Sequence, residues 1–452
     1  MVHFLTHTCQ PEIVTIVRVT DTATLRNQVV RGLQLRAVIS ASVGTTIEWY
    51  DFFLYGVAAA AVFPKKFFPG SDPFIATMLS FTTFFVGFVA RPIGAAIFGH
   101  FGDKIGRKKL LVFTMIVMGA STMTVGLTPS YQTIGVWGAV LLTLGRILQG
   151  LAIGGQWSGS VLMAAEWTDP KRRGFTTSFA QLGAPAGMVL ANGALALMTG
   201  LTSDQSFLDW GWRIPFLASV ALVITGFYIR SGVHETPVFE ELKKAGAIVK
   251  APLVEVLRRN GKEVALTALL RTSQQVCFYI FTTYIITYAT TALGFSRGLA
   301  LNMVIIMAVV SCFANPVFGH LSDVYGRRTI TAIGCAIMIV FPFVYFGMLD
   351  TKSLPLVFIA IVLSNPLQDM QYGPQAAYIA ESFPGSVRYS GSALGYQLAS
   401  ITAGGPAPLV ATFLLRQYGT SSAIAWYISM CSVISLICVI LLKEHRGDRD
   451  RE

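Results

Sequence analysis

The stretch FGHFGDKIGRK at positions 98–108 returns as FGHLSDVYGRR at positions 318–328. Phe, Gly, His, Asp, Gly and Arg are identical in the two copies, and each copy ends on a basic residue. The glycines permit a tight turn, and the Asp and Arg beside them place charges at the ends of the flanking segments. A chain that uses this turn twice is predicted to consist of two copies of one larger unit.

The composition is that of a membrane protein. Of the 452 residues, 53% are hydrophobic and only 13% are charged, whereas about 25% of residues are charged in an average soluble protein. Apolar runs long enough to cross about 30 Å of hydrocarbon as helices recur along the chain. We therefore predict an all-α integral membrane protein with twelve transmembrane helices, at 33–60, 74–100, 108–128, 134–166, 174–200, 211–230, 263–291, 297–321, 328–348, 354–380, 388–415 and 420–442.

The net charge of +11 follows the predicted topology. With the N-terminus placed inside, most of the 34 Lys and Arg lie in cytoplasmic segments. The predicted outer loops hold only Lys65, Lys66, Arg213, Arg297, Lys352 and Arg416. This is the positive-inside bias of membrane proteins. We therefore expect a multi-pass protein of the inner membrane with both termini in the cytoplasm, a lipid bilayer as its surroundings, and no nucleic acid as a partner.

Further features repeat at nearly the same separation as the turn. Glu166 is followed seven residues later by Arg173, and Glu381 is followed seven residues later by Arg388. Parallel repeats with a site between them near the middle of the membrane are a transporter design. The predicted organisation is an N-terminal cytoplasmic tail (1–32), a six-helix half (33–230), a cytoplasmic linker (231–262), a second six-helix half (263–442) and a C-terminal cytoplasmic tail (443–452).

The repeated turns predict a cytoplasmic gate. Each copy lies between the second and third spans of its half, and Glu166 and Glu381 end the fourth spans on the same side. They are natural partners for Arg107 and Arg327, in ion pairs that could hold the halves together and break when they rock. The alternative is that these charges only mark topology. The predicted gate residues are Asp103, Arg107, Glu166, Asp323, Arg327, Glu381 and Arg388.

Several motifs in a fixed order resemble a known family. DKIGRKK, DVYGRR and RILQGLAIGG are similar to signature motifs of the major facilitator superfamily. EWYDFFLYG (48–56), FVARPIGAAIFGHFGD (88–103), GGQWSGSVLMAAE (154–166) and ESFPGSVRYSGSALGYQLAS (381–400) resemble its metabolite:proton symporter family, over roughly 35–445. The resemblance implies the major facilitator fold, a monomer, and alternating access between two halves. Members carry shikimate, α-ketoglutarate, citrate, or proline and betaine, with protons, and the motifs look closest to shikimate-permease-like members.

One position departs from the family pattern. The family usually has Glu in the GGEW of span four, where this chain has Gln156. A glutamine side chain cannot take up or release a proton. If the Glu of the family couples protons, this chain uses another carboxyl or couples differently.

Acids within spans are candidate proton carriers. Inserting a charged residue at the centre of a membrane costs about 2.5–3.5 kcal/mol, so such residues are functional candidates by default. Glu48 and Asp51 lie midway along span one, three residues apart, and therefore share a helix face. The alternative role for one of them is a fixed partner for a buried Arg. Asp369 in span ten is a further candidate, and the family resemblance assigns Arg146 to the proton-coupling network.

Buried arginines predict a cavity for anions. Arg91, Arg146 and Arg271 lie within spans, and a guanidinium stays charged and can hold a carboxylate with two hydrogen bonds. The alternative is an internal pair, such as Arg146 with Glu48 or Asp51. Amide and hydroxyl groups near them could bind substrate or bridge helices; the predicted contributors are Gln149, Gln156, Gln275, Gln371 and Tyr50.

The sequence thus predicts a secondary active transporter and not an enzyme. It contains no Walker A motif, no nucleophile–base pattern and no metal-ligand spacing, and we expect no cofactor and no metal. The predicted activity is proton-coupled uptake of a small organic anion, either shikimate-like or a di- or tricarboxylic acid. The alternatives are an osmolyte symporter of the proline/betaine type, or an uncoupled facilitator or exchanger, which Gln156 keeps open.

Overall fold

The computed structural model describes residues 12–445, with side chains described for all of these except 12–31, 60–61, 73–74 and 297. Within this part of the chain the backbone forms helices and connections and contains no strand. The prediction of an all-helical fold is confirmed for these residues. Residues 1–11 and 446–452, which belong to the predicted tails, lie outside the described residues.

The first half of the chain forms six long helices. They are α1 (Glu12–Ala61), α2 (Pro73–Ile105), α3 (Arg107–Leu127), α4 (Trp137–Glu166), α5 (Arg173–Gln181, continuing as Gly183–Leu201) and α6 (Arg213–Ser231). Helix α1 begins at Glu12, so it extends into the segment 1–32 that was predicted as a tail. Short helices, Pro237–Lys244 and Pro252–Arg259, follow in the linker.

The second half repeats this arrangement. Its helices are α7 (Gly261–Leu270, Thr272–Tyr279 and Ile285–Thr291), α8 (Arg297–Tyr325), α9 (Arg327–Asp350), α10 (Leu354–Glu381), α11 (Arg388–Ala399 and Ala407–Tyr418) and α12 (Ser422–Leu441). One π-helical turn interrupts α7 at Ile280–Tyr284, and another interrupts α11 at Ser400–Gly404. Such turns are frequent at functional sites.

Nine of the helical segments within residues 12–445 are long and apolar enough to cross a membrane by length and composition alone. They correspond to α2, α3, α4, α5, α6, α8, α9, α11 and α12. Helices α1, α7 and α10 do not meet this standard. Polar side chains are costly to insert into hydrocarbon, and these three helices carry several of the predicted site residues: Glu48, Asp51, Arg271, Gln275, Asp369 and Gln371.

The repeated glycines have two structural uses. Gly106 and Gly326 have φ of 109° and 106°, a region that favours glycine, and each ends one helix and begins the next. Gly99 and Gly319 let the halves touch. A Cβ at Gly99 would lie 2.9 Å from the Ser390 Cα, and one at Gly319 would lie 2.6 Å from the Gly174 carbonyl oxygen.

These contacts close the halves at one end of the bundle, which we call the turn end. There α2 packs on α11, and α5 packs on α8 and α10. The Oγ atoms of Ser158 on α4 and Ser392 on α11 are 2.5 Å apart. Toward the opposite end a crevice of about 540 Å³ lies between the halves, lined by Val57, Asn192 and Leu195 of the first and Leu301 and Asn302 of the second.

Helices α2 and α4 approach closely through glycines. A Cβ at Gly154 would lie 2.6 Å from the Ala95 backbone nitrogen, so no larger residue fits without moving a helix. Small residues at such crossings let helix backbones touch, and van der Waals packing then replaces the hydrophobic effect that is absent within a membrane. This crossing positions Arg91, one turn before Ala95.

Gly154→Ala should destabilise the protein, because the added methyl group forces α2 and α4 apart at a cost of about 1–3 kcal/mol. Gly193 in α5 is the matched control, since a Cβ there meets no atom within 4 Å. Gly193→Ala should be neutral or stabilising, because alanine is the better helix former. The measurement is the melting temperature in detergent, and equal melting temperatures for the two variants would contradict the close packing.

Candidate functional site

The two acids of α1 are buried in different surroundings. Asp51 Oδ2 accepts a hydrogen bond of 2.8 Å from the hydroxyl of Thr122 on α3. Glu48 lies within electrostatic reach of Arg91, Arg230 and Arg271. Glu48 Oε2 and Asp51 Oδ1 have no hydrogen-bond partner. Glu48 therefore belongs to the interface between the halves, and Asp51 belongs to the first half.

A short polar chain joins Asp51 to Arg146. Thr122, which donates to Asp51, accepts a hydrogen bond of 2.6 Å from Gln149 Nε2, and Gln149 Oε1 accepts one of 3.2 Å from Arg146 Nη1. The Arg146 guanidinium lies 4.5 Å from the centre of the Tyr55 ring. The structure thus brings together Asp51, Arg146 and Gln149, which the sequence had placed on two separate spans.

Arg91 on α2 is surrounded by aromatic rings. Its guanidinium lies 4.8 Å from the centre of the Phe52 ring and 4.6 Å from that of Phe88, and its Nε has no partner. Such cation–π contacts favour a cation most strongly away from water. Tyr279 of the second half packs on Phe88 with ring centres 5.5 Å apart, and the charges of Arg91 and Arg271 both reach its hydroxyl. Arg91 therefore lies at the boundary of the two halves.

Arg271 on α7 is held by neutral groups. Its Nη1 donates to the Tyr396 carbonyl at 2.5 Å and its Nε donates to Gln375 Oε1 at 3.3 Å. Gln275, with its amide oxygen turned toward the guanidinium, also accepts from it. The guanidinium lies over one face of the Tyr396 ring, and Trp157 of the first half stacks on the ring at a centre distance of 3.4 Å.

Arg230 is a site residue that sequence reasoning missed. It is the penultimate residue of α6. A basic residue at the end of a span is typical of the positive-inside bias and therefore did not suggest a buried site. In the structure it is buried, donating to the Leu111 carbonyl at 2.9 Å and to Ser160 Oγ at 3.0 Å. It packs against the backbone of α1 because Gly44 has no side chain there. Its inward direction follows from packing and left no signal in the sequence.

The buried charges do not balance. Among the residues that the structure describes, no carboxylate lies within 4 Å of Arg91, Arg146, Arg230 or Arg271. Of the carboxylates on described side chains, Glu48 and Asp51 are the two that act on these arginines electrostatically. We call these four arginines and two acids the central cluster. It carries more basic than acidic groups, and all six side chains are buried.

Of the polar residues that were predicted to bind substrate, some lie beside the central cluster and others contact helices away from it. Gln156 Nε2 donates to the Gly44 carbonyl at 3.2 Å, beside Arg230, and its Oε1 has no partner. Tyr50 instead donates to the Pro215 carbonyl on α6 at 2.8 Å, and Gln371 donates to the Gly334 carbonyl on α9 at 3.2 Å. Tyr50 and Gln371 thus face other helices of their own halves.

Asp369 on α10 also lies apart from the central cluster. Its neighbours are Ser311, Cys312 and Asn315 of α8. No arginine acts on it in the way that three act on Glu48. The structure therefore separates Asp369 from the acids of α1 with which the sequence grouped it.

At the turn end each half caps a helix of the other. The Asp103 carboxylate accepts from the backbone N–H groups of Tyr389 and Ser390, at 3.2 and 2.9 Å, at the start of α11. The Asp323 carboxylate accepts from those of Gly174 and Phe175, both at 2.8 Å, at the start of α5. The first N–H groups of a helix lack partners within it and attract negative charge. These reciprocal caps fasten the halves together.

The ion pairs at the turn end lie mostly within each half. Arg107 is 3.5 Å from Glu166, and Arg327 is 3.4 Å from Glu381. These pairs were predicted to join the halves, but the hydrogen bonds that carboxylates make directly between the halves are those of the reciprocal caps. Arg388, at 3.9 Å from Glu166, is a longer ionic contact between the halves.

A second set of carboxylates caps the helices that begin at the turns. Glu235, after α6, accepts from the backbone N–H of Arg107 at 3.0 Å, and Glu444, after α12, accepts from that of Arg327 at 2.9 Å. Burial raises the pKa of Glu235 above its ordinary value, while its amide hydrogen bonds and the charge of Arg107 oppose the shift. The same device therefore recurs in both halves.

Known proteins resemble this chain over most of its length. The family described as Major Facilitator Superfamily matches residues 41–407 and 304–451. The inner membrane metabolite transport protein YhjE of Escherichia coli K12 is 41% identical over 416 residues, covering 91% of this chain and 94% of the relative. The shikimate transporter of the same organism is 38% identical over 413 residues, covering 90% and 94%. Its proline/betaine transporter is 33% identical over 418 residues, covering 90% and 83%.

A solved structure shares the fold. The proton:xylose symporter XylE bound to 6-bromo-6-deoxy-D-glucose superposes with a TM-score of 0.75, at 16% sequence identity, over 92% of this chain and 97% of that one. The predicted arrangement of twelve helices in two six-helix halves is confirmed.

Asp103→Ala should open the turn end, because it removes charged hydrogen bonds between the halves that are worth about 1.5–3 kcal/mol. The readout is the labelling rate of Ser158→Cys by a maleimide, in a background without the six native cysteines. We expect the rate to rise about tenfold, the factor that corresponds to 1.4 kcal/mol.

Asp209→Ala is the matched control for this experiment. Asp209 is exposed and pairs with Lys66 at 2.7 Å at the end of the bundle opposite the turn end, where the hydrogen bond from Lys66 lowers its pKa. Its loss should leave the labelling rate unchanged. An Asp103→Ala variant that labels at the rate of the control would show that the caps do not hold the halves together.

Proposed function

The chain belongs to the Major Facilitator Superfamily, and from that membership we propose that it carries a small organic anion inward together with protons. As a member it is a membrane transporter and not an enzyme. The proposed substrates are shikimate-like or di- and tricarboxylic acids, the compounds that the sequence analysis predicted. We propose that the turn end faces the cytoplasm, in agreement with the positive-inside bias.

The observation that carries this proposal is the surplus of buried arginines. Four guanidinium groups lie in the central cluster without an ion pair, against two carboxylates. A buried charge without a partner is costly, and a bound carboxylate would supply the missing negative charge. A cluster of this kind selects anions over zwitterions, because a zwitterion would bring a further positive charge.

Arg91 and Arg271 are the proposed anion ligands. Arg91 belongs to the first half and Arg271 to the second, and both charges reach Tyr279 and Glu48. An anion between them would draw the halves together from both sides. Arg271 also touches Tyr396, which stacks on Trp157 across the interface, so a change at Arg271 is transmitted to the contact between the halves.

Glu48 is the proposed proton carrier. When ionised, it occupies the field of Arg91, Arg230 and Arg271 and competes there with a substrate carboxylate. When protonated, it leaves these guanidinium groups free for the substrate. Proton and anion would then bind together, which is the condition for symport. Asp51 and Arg146, joined through Thr122 and Gln149, are the proposed relay for the proton. Gln156 takes no part in proton transfer, because its amide side chain does not ionise.

Transport would proceed by alternating access. The halves are joined by the caps at the turn end, and a crevice lies between them toward the opposite end. In the proposed orientation this is a state that is shut toward the cytoplasm. Anion and proton binding in the central cluster would close the crevice, and release of the reciprocal caps would then open the turn end.

Two alternatives make different predictions. An osmolyte symporter of the proline/betaine type is supported by one of the relatives, but the positive cluster does not favour a zwitterion. An uncoupled facilitator or exchanger is the second alternative, because Gln156 cannot take up or release a proton at the position where the family usually has Glu. The test is uptake of radiolabelled shikimate, α-ketoglutarate and proline into proteoliposomes, with and without an inward proton gradient. Uptake of proline but of neither acid would overturn the anion proposal.

Arg91→Gln should raise the concentration for half-maximal anion uptake about 10- to 100-fold, because a hydrogen bond to a charged group contributes about 1.5–3 kcal/mol. Arg416→Gln, at an exposed position near the end of α11, is the matched control and should behave as the wild type. Anion uptake by Arg91→Gln that matches the control would exclude Arg91 as a ligand.

Glu48→Gln should abolish accumulation driven by the proton gradient while it preserves exchange of labelled for unlabelled substrate. The glutamine keeps the shape of the side chain and stays neutral, so the substrate still binds but no proton accompanies it. Glu255→Gln, in the exposed pair with Arg259 of the linker, is the control and should accumulate normally. Accumulation by Glu48→Gln at the wild-type level would remove Glu48 from the proton pathway.

A further inference from the structure

A second polar cluster lies between α8 and α10, and the proposed anion site does not use it. Ser311 and Asn315 are four residues apart on α8, and Asn365 and Asp369 are four residues apart on α10. Residues at this spacing share a helix face. All four side chains are at most 1% exposed. Two polar faces therefore meet inside the bundle, where Ser364 and Gln368 of α10 are also buried.

Hydrogen bonds link these side chains to one another and to the backbone of α8. Asn365 Nδ2 donates to Ser311 Oγ at 3.2 Å, and Asn315 Nδ2 donates to the Ser311 carbonyl at 3.1 Å. The Ser311 hydroxyl and the Asn315 amide lie within hydrogen-bonding reach of the Asp369 carboxylate. The donors of the two amides are thus turned to the protein, which leaves their oxygens for another partner.

Three oxygens of this cluster have no partner. They are Asp369 Oδ2, Asn315 Oδ1 and Asn365 Oδ1, and each is buried. Among the described side chains, no Lys, Arg or His forms an ion pair with Asp369 or acts on it electrostatically. Buried polar atoms in native proteins are nearly always paired, and these three oxygens, one of them from a carboxylate without an ion pair, are the kind of ligands that a cation would satisfy.

Prolines add backbone oxygens beside the cluster. Pro316 on α8 has no N–H group, so the Cys312 carbonyl lacks its usual helical partner. Pro366 on α10 likewise leaves the Val362 carbonyl without one. These carbonyls belong to the same turns as Asn315 and Asn365. Interrupted helices whose free carbonyls bind ions are a recurring feature of transporters.

We propose that this cluster binds an alkali-metal cation. Carboxylate, amide, hydroxyl and backbone oxygens are the ligands that hard cations prefer. The single carboxylate of Asp369 balances one positive charge, whereas a divalent ion would leave a net charge within the membrane, which is costly. The cation would join α8 to α10 and so rigidify the second half.

The first test is the melting temperature of the full-length protein, purified in detergent without substrate. It is measured in increasing NaCl, LiCl or KCl, with choline chloride added to keep the ionic strength constant. We expect a saturable rise with at least one alkali cation, because a ligand that binds only the folded state stabilises it. An equal melting temperature in all four salts would overturn the proposal.

The second test assigns the response to this cluster. Asp369→Asn keeps the shape of the side chain and removes its charge, so it should abolish the rise. Asn365→Ala removes one oxygen and should increase the half-saturating salt concentration at least tenfold. If Asp369→Asn does not fold, the half-saturating salt concentration of Asn365→Ala is the quantity that tests the proposal. Glu255→Gln in the linker is the matched control and should respond as the wild type.

A wild-type response in Asn365→Ala together with a wild-type response in Asp369→Asn would show that the cation binds elsewhere. A carboxyl of Asp369 that is held in its protonated form would give no alkali response in the wild type, which contradicts the proposal. Since no substrate is present, these outcomes are independent of whether the central cluster binds an anion.

Discussion

The constraint on which the rest of this structure depends is the burial of four guanidinium groups without ion pairs. In hydrocarbon such a charge is tolerated only where the protein supplies other favourable contacts. Here these are aromatic faces for Arg91 and Arg146, and carbonyl or amide oxygens for Arg230 and Arg271. Gly44 of α1 and Gly87 of α2 leave the space that the side chains of Arg230 and Arg146 occupy.

Carboxylates at helix N-termini are the second organising device. Asp103 and Asp323 cap helices of the opposite half, whereas Glu235 and Glu444 cap helices of their own. Each therefore satisfies backbone groups that cannot pair within their helix. A cap between halves can be released as a unit when they separate, because its acceptor is on one body and its donors are on the other.

Much of this arrangement could be predicted from the sequence, because charged residues within apolar spans and a duplicated turn are conspicuous. Arg91, Arg146, Arg271, Glu48 and Asp51 were found in this way. The directions of side chains could not be predicted, since they depend on which helices become neighbours. For that reason Arg230 escaped notice. For the same reason the sequence could not distinguish Gln156, beside the central cluster, from Tyr50 and Gln371, which contact other helices.

The reciprocal caps have a consequence for the ancestry of the chain. Asp103 and Asp323 occupy the same position of the duplicated turn, and each reaches the start of the fifth helix counted within the opposite half. A single ancestral six-helix unit would have carried both the carboxylate and its receptor. Two identical copies, related by a twofold axis along the membrane normal, would have exchanged the contact in both directions. Gene fusion would then have preserved a homodimer interface that already existed.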